Sequence, residues 1–375
     1  MSVHVRRIAA VLLLAAGGST AASPAQGPLS VRTPGTLRDL FLDVVQWDAR
    51  AVPALRLDVG WGMANDWSTP TTLTRDGKVV QVRLDEQADS LTAAIRLPWG
   101  VVLGSPEGSF LRRLATAVEV RGTVHWGGWS DAVIDAWHRV FNYNDFARPA
   151  FPRNEVHLAL HRVLGTVPVD VHQATFAFGD VVLRNQLLLW QGAEPLREGP
   201  GARAGVSLRL DVKIPTGSPS RMGGSGGWDV GLGLLGTWQA TPWLVGHAIV
   251  AGSLWSQMAG GLPLQPRTWQ ATAGLSLAFL LGDWSILLED RWSSPPFQAG
   301  WGFVEVNPEW NLQSSATTAV TLSQNQITGG VRYGPVTFWL MEDFTLGSVP
   351  GLGPRWFYDS NAPDVAIGLT LTLEH

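Results

Sequence analysis

Residues 203–214 read RAGVSLRLDVKI and alternate without a break. Ala204, Val206, Leu208, Leu210, Val212 and Ile214 fall on one face of an extended chain; Arg203, Gly205, Ser207, Arg209, Asp211 and Lys213 fall on the other. The run is twice the usual globular strand of about five or six residues. At about 3.3 Å per residue and a tilt of about 40°, it spans the roughly 25 Å apolar band of a transmembrane barrel. One face is fit for lipid and the other for a polar lumen.

The same pattern recurs along the chain. Leu55, Leu57, Val59, Trp61 and Met63 alternate with Arg56, Asp58, Gly60 and Gly62, and Val118, Val120 and Val124 with Glu119, Arg121, Thr123 and His125. Near the end, Val365, Ile367, Leu369, Leu371 and Leu373 alternate with Ala366, Gly368, Thr370 and Thr372. Aromatic spacing separates a membrane barrel from a soluble sandwich. Trp228 and Trp238 share a face with Val230, Leu232 and Leu234 between them, and Trp269 and Phe279 repeat the interval; Trp284 and Trp292 nearly do. About ten residues of tilted strand separate the two aromatic girdles of a barrel, where indole rings favour the headgroup level. With Trp61, these are the expected girdle residues.

Twelve strands are expected, near 53–63, 88–98, 111–125, 178–191, 203–214, 228–239, 242–256, 267–281, 283–293, 317–333, 336–345 and 363–374. Their connections differ in length. Short ones lie at 239–242, 281–283 and 333–335; long ones at 64–87, 126–177, 215–227, 294–316 and 346–362. Short periplasmic turns and long external loops are the usual asymmetry, and an even strand number brings both termini to the periplasmic side. The fold class expected is therefore all-β: a transmembrane antiparallel barrel of about twelve strands over 53–375, with short amphipathic helices in its loops.

Composition agrees with this. Charged residues are 15% of the 375, against roughly 25% for soluble domains, which leaves too little charge for an ordinary water-facing surface. The net charge of -4 and the lack of a basic stripe exclude nucleic acid as a partner. Without cysteine there is no disulfide framework, thiolate site, cysteine nucleophile or lipoprotein anchor. Residues 1–25 have the form of a signal peptide: a basic MSVHVRR, the apolar IAAVLLLAA, then small residues with cleavage expected after Ala22 or Ala25. Residues 26–52 form a periplasmic N-terminal segment. These features imply export to the outer membrane of a Gram-negative type of cell, with outer-membrane lipid, lipopolysaccharide and the barrel-assembly machinery as partners.

Several stretches resemble a family of outer-membrane proteins known as domain of unknown function 3187. They are GPLSVRTPG (27–35), DAWHRVFNYNDFARPAFPRN (135–154), FGDVVLRNQLLLW (178–190), LRLDVKIPTGS (208–218), GGSGGWDVGLGLL (223–235) and SSPPF (293–297). The resemblance implies a β-barrel and an outer-membrane address, and brings no substrate or catalytic residue with it. The chain departs from the pattern at its end, LTLTLEH, where such barrels usually finish on an aromatic residue.

Candidate sites divide into chemistry and architecture. Gly223–Gly227 matches G-x-S-x-G, but a nucleophile elbow needs a strand before it and a helix after it. Here a strand follows, prolines break the approach and no Lys-Ser/Thr completes a phosphate loop, so Ser225 is expected in a flexible, exposed hairpin loop and no catalytic residue is assigned. In EVHLALHRV, His157 and His161 share a strand face with Glu155, and His172 follows. Two imidazoles and a carboxylate suit zinc or a pH gate, although the spacing is not H-E-x-x-H and a plain polar face is the simpler expectation; no metal or cofactor is assigned. WSDAVIDAWHRVF has helical spacing with Ser130 as N-cap, and suits the barrel mouth or the outer leaflet equally. LRDLFLDVVQW (37–47) is a second such amphipathic segment, placed to plug or line the lumen.

The lumen-lining candidates are Arg56, Asp58, Arg96, Glu119, Arg121, Arg184, Arg209, Asp211, Lys213, Asp229, Glu289, Arg291 and Arg332. They make either a charge-selective path or an ion-paired filling. Twelve strands enclose more room than the eight-stranded barrels that side chains alone can fill. The expected function is a porin-like channel for a small solute, hydrophobic solutes included. The alternatives are a structural or adhesive barrel without transport and a lipid-modifying enzyme, for which no Ser, His and acid trio stands out.

Overall fold

The computed structural model describes residues 27–32, 35, 38–75, 78–141, 152–162, 169–192, 203–256, 267–294, 323–346, 348–349, 353–354 and 365–374. The expected signal peptide, most of the long connection after residue 294 and His375 lie outside them.

Seventeen strands are present among the described residues. They are β1 (Arg56–Arg75), β2 (Lys78–Pro98), β3 (Leu114–Trp126), β4 (Leu158–Arg162), β5 (Val169–Val171), β6 (Thr175–Phe178), β7 (Val181–Gln191) and β8 (Ala204–Ile214). There follow β9 (Asp229–Thr241), β10 (Leu244–Trp255), β11 (Trp269–Leu281), β12 (Trp284–Ser293), β13 (Ser323–Tyr333), β14 (Val336–Leu346), the dipeptides β15 (Ser348–Val349) and β16 (Gly353–Pro354), and β17 (Val365–Glu374). Twelve of these, β1–β3, β7–β14 and β17, form one antiparallel ring closed by the β1–β17 and β2–β3 pairs. Closure gives each of the twelve strands a partner on both sides, which a wall facing lipid requires.

Arg56 and Glu374 are paired neighbours, so β1 begins and β17 finishes at one end of the barrel. That end carries the tight turns at 242–243, 282–283 and 334–335 and is called here the turn end; the opposite, loop end carries the long connections. The alternation governs burial throughout. Along β9, Asp229, Gly231, Gly233, Leu235, Thr237 and Gln239 are buried inside, while Val230, Leu232, Leu234 and Trp238 are exposed outside. Leu91, Ile95, Val124, Leu210, Val250, Leu275, Leu288, Val331, Phe338 and Leu369 extend this apolar exterior around the ring.

Two strands are longer than expected. Residues 64–75 and 78–87 continue β1 and β2 as paired strands instead of forming a loop. The single register shift in this pairing falls between Ser68 and Thr71, where Pro70 has no N–H to give to a ladder. The short hairpin β4–β5 adds to the far end of β2 through Val80↔Arg162 to Arg83↔Ala159. The helix expected after β3 is present as α1 (Asp131–Phe141), and it docks at the loop end by its polar groups. Asn65 Nδ2 donates to Ser130 Oγ and Asp131 Oδ1 at 3.0 Å, and the Asn154 N–H donates to Asp131. No helix among the described residues is long and apolar enough to cross a membrane, which says nothing of crossing by strands.

The second expected helix, over 37–47, is not formed among its described residues, 38–47. Only Arg38–Leu40 makes a single 3-10 turn, and residues 42–49 run extended inside the barrel. Leu40, Phe41, Leu42, Val44, Val45, Trp47 and Ala49 are all buried there. Lumenal side chains take up the backbone groups that a helix would have paired with itself, and that is why the extended form wins here.

Candidate functional site

The lumen contains its own N-terminal segment, described over residues 27–32, 35 and 38–50, as a plug. Arg332 donates to the carbonyls of Gly27 and Pro28 near the turn end, fixing the start of the ascending limb. Arg121 grips Asp39 through both its carboxylate and its carbonyl oxygen. Lys213 Nζ donates to the Leu40 carbonyl at 2.7 Å, and the Leu42 N–H donates to Asp229 at 2.9 Å, so the plug turns back near the loop end. On the descending limb Arg184, Arg209 and Ser207 donate to the carbonyls of Asp43, Val45 and Ala49, and Ala49 N–H donates to Thr237. The tip, Leu40 and Phe41, packs with Met222 and with Leu158, Val169 and Val171 of the β4–β5 hairpin, covering the loop end.

All thirteen lumen candidates point inward, and four of them, Glu119, Arg184, Asp211 and Arg209, are joined in one ion-paired network. Arg184 holds Glu119 bidentately at 2.7 and 3.0 Å and Asp211 at 2.7 Å; Arg209 holds the other Asp211 oxygen at 2.8 Å. Lys213 lies 3.0 Å from both Asp229 and Asp180. Arg291 pairs with Asp43 of the plug, and Glu289 accepts from Ser276 at 3.1 Å. Arg56 pairs with Asp58. Arg96 has another kind of partner: its Cζ lies 3.6 Å from the centroid of the Trp47 ring, which Arg209 approaches at 3.9 Å. Contacts this short to one ring require opposite faces, so the plug's tryptophan is held between two guanidinium groups from distant strands. On the plug, burial opposes ionisation of Asp48, but Arg50 with its two Nε hydrogen bonds outweighs it and keeps the carboxyl well below the usual carboxylate range.

The filling is lopsided. Between the plug and β1, β2 and β17 a cavity of about 120 Å³ remains, because that wall offers Gly60, Gly62, Ser90, Thr92, Ala94 and Thr370 in place of long side chains. Five arginines, Arg32, Arg56, Arg96, Arg121 and Arg332, and three acids, Asp39, Asp58 and Glu119, face it, an excess of two positive charges. The plug's Trp47, Asp39 and Asp43 and the wall's Asp180 escaped sequence reasoning. The acids spaced through DLFLDVVQWD, against a lumen rich in arginine, were the signal available.

Ser225 is not in a flexible, exposed loop. It is fully buried and accepts a 2.5 Å hydrogen bond from Lys213. The glycines before it permit close contact rather than mobility: a Cβ on Gly223 would lie 2.3 Å from the Phe178 carbonyl oxygen, and one on Gly224 2.4 Å from Asp180 Oδ2. Asp180 sits where the partner of β3 changes from β6 to β7, with Gly179 N–H donating to the Arg121 carbonyl, so the loop locks onto a bulge in the wall. An ammonium between two carboxylates is an anchor rather than a general base for Ser225.

On the exterior, Trp238 and Trp284 are exposed beside the turns, where Trp243 stacks on Phe279 at 6.3 Å and Trp284 meets Tyr333 at 4.6 Å. Trp228, Trp269 and Trp292 lie at strand ends towards the long connections, and Trp61 lies on the outer face of β1. His157 stands beside His172, while the His161 side chain lies outside the described residues.

Among solved structures, the chain is similar to the NanC porin, with 8% identity over 85% of this chain and 99% of that one, at a TM-score of 0.39. It is similar also to a Pseudomonas aeruginosa FadL homologue, with 9% identity over 95% and 98% at 0.35. A third is the CymD monoaromatic hydrocarbon channel, with 10% identity over 86% and 88% at 0.34. No curated protein matches the chain. The family model described as Protein of unknown function (DUF3187) matches residues 107–326, which take in the Glu119–Arg184–Asp211 network and the Lys213–Ser225 contact; spanning more than half of the sequence, the match establishes that this chain belongs to that family.

Proposed function

We propose that the protein is an outer-membrane channel that passes a small polar solute, anions before cations, along the cavity between its N-terminal plug and the β1–β2–β17 wall. The cavity carries this reading: it is a gap in an otherwise ion-paired lumen, lined by small side chains and by more guanidinium groups than carboxylates. The outer-membrane address rests on the apolar exterior and on the aromatic residues at both ends of the strands. A charged lining favours a polar solute over a hydrophobic one. The lipid-modifying alternative has the burial of Ser225 and its contact with Lys213 against it.

The test is conductance of the refolded mature barrel in planar bilayers, beside a variant lacking residues 27–50. Small, anion-preferring currents from the intact protein and much larger ones from the variant are expected. If neither conducts nor releases solute from loaded vesicles, the barrel is structural.

A further inference from the structure

We propose that His157, Asp170 and His172 form a binding site for a divalent transition-metal ion, zinc by donor type, at the loop end of the barrel. Strand β4 pairs with β5 through Leu158↔Val171 and Ala159↔Asp170. One step beyond that ladder, the register sets His157 opposite His172. Asp170 precedes His172 by two residues and so emerges on the same face. The two imidazole centroids are 4.2 Å apart at 56°, and His172 Nε2 is 2.6 Å from Asp170 Oδ1. One ligand atom from each residue lies within 4.8 Å of the other two. A tetrahedral zinc ion with bonds of about 2.0–2.2 Å spaces its ligand atoms by about 3.4 Å, so side-chain rotation closes the site without moving the backbone.

The scaffold holds this trio firmly. The His157 N–H donates to the Asp85 carbonyl at 2.8 Å, and Leu158, Val169 and Val171 are buried against the plug tip and Met222. Two nitrogens and one carboxylate oxygen suit zinc and leave a fourth position for water or an approaching ligand. Asp170 and His172 are exposed, so the ion arrives from solvent at the loop end. Bound there, it ties the free end of the β4–β5 hairpin together above the plug. The partner of His157 comes from across the hairpin.

The test uses the mature full-length barrel without a histidine tag, refolded in detergent, stripped with chelator and titrated with Zn²⁺ by calorimetry. One ion per barrel is expected, bound at least about tenfold more weakly after His172→Ala or Asp170→Asn and unchanged after His375→Ala. Co²⁺ in place of Zn²⁺ is to show the visible bands of a tetrahedral nitrogen and oxygen site, lost in the same variants. Absence of stoichiometric binding, or equal affinity in His172→Ala, overturns the proposal. Should His172→Ala not show the gel shift of a folded barrel, His172→Gln and the wild-type Co²⁺ spectrum decide the matter.

Discussion

Arg184 and Asp211 are paired neighbours on β7 and β8, 2.7 Å apart with both side chains fully buried. Glu119 accepts from Nε and Nη2 of the same guanidinium, so one arginine bridges two carboxylates inside the barrel, with Arg32 and Arg209 as their other partners. Arg184→Ala leaves both acids buried and short of a partner. A loss of about 3–5 kcal/mol is expected, read from the denaturant midpoint of the detergent-folded barrel. The double change Glu119→Gln, Arg184→Met removes one charge of each sign and leaves Asp211 paired with Arg209, and it is expected to be less harmful than Arg184→Ala alone.

Trp47 joins plug to wall by lying between Arg96 and Arg209, and it also borders the cavity. Trp47→Ala removes a buried indole from that border. A loss of about 3–5 kcal/mol is expected together with larger single-channel conductance, because the vacated volume joins the existing gap. Trp47→Phe keeps a ring between the two guanidinium groups, and its conductance is expected to fall between the two. Equal conductance in all three proteins would separate the plug from the path.

Glycines of this barrel fall into two physical classes. A Cβ at Gly223 meets the Phe178 carbonyl oxygen at 2.3 Å, whereas one at Gly236 meets nothing within 4 Å. Gly223→Ala is therefore expected to destabilise by about 1–3 kcal/mol through overpacking of the loop. Gly236→Ala, within β9, is expected to be neutral or mildly stabilising, since alanine restricts the unfolded chain more than glycine does. Thermal loss of the folded gel band compares the two.

The barrel was legible because each strand in contact with lipid must alternate, and Arg203–Ile214 shows the rule unaided. The β1–β2 extension was not, since a hairpin beyond the apolar band needs no apolar face to announce it. The plug was legible only as an amphipathic segment near the lumen. Its extended form depends on Arg184, Arg209 and Lys213, donors about 140 residues or more away in sequence. His157 was legible as a ligand type, but its partner His172 is set by the register of a hairpin that neither strand's own sequence specifies.

Lys213 ties three parts of the molecule at one nitrogen: the plug tip at Leu40, the glycine-rich loop at Ser225, and the wall at Asp180 and Asp229. Lys213→Met keeps the length of the side chain and removes the charge, leaving two buried carboxylates facing each other. The loop and the plug tip then lose their common anchor, while the ladder of β8 keeps its backbone bonds. Arg221 lies exposed on that loop and offers a cleavage site to trypsin. Cleavage after Arg221 is expected to be slow in the wild type, faster in Ser225→Ala, which forfeits one charged hydrogen bond of about 1.5–3 kcal/mol, and fastest in Lys213→Met. Equal rates in all three would show that the loop is held by its glycine contacts with Phe178 and Asp180 alone, and the lysine would then serve the plug rather than the loop.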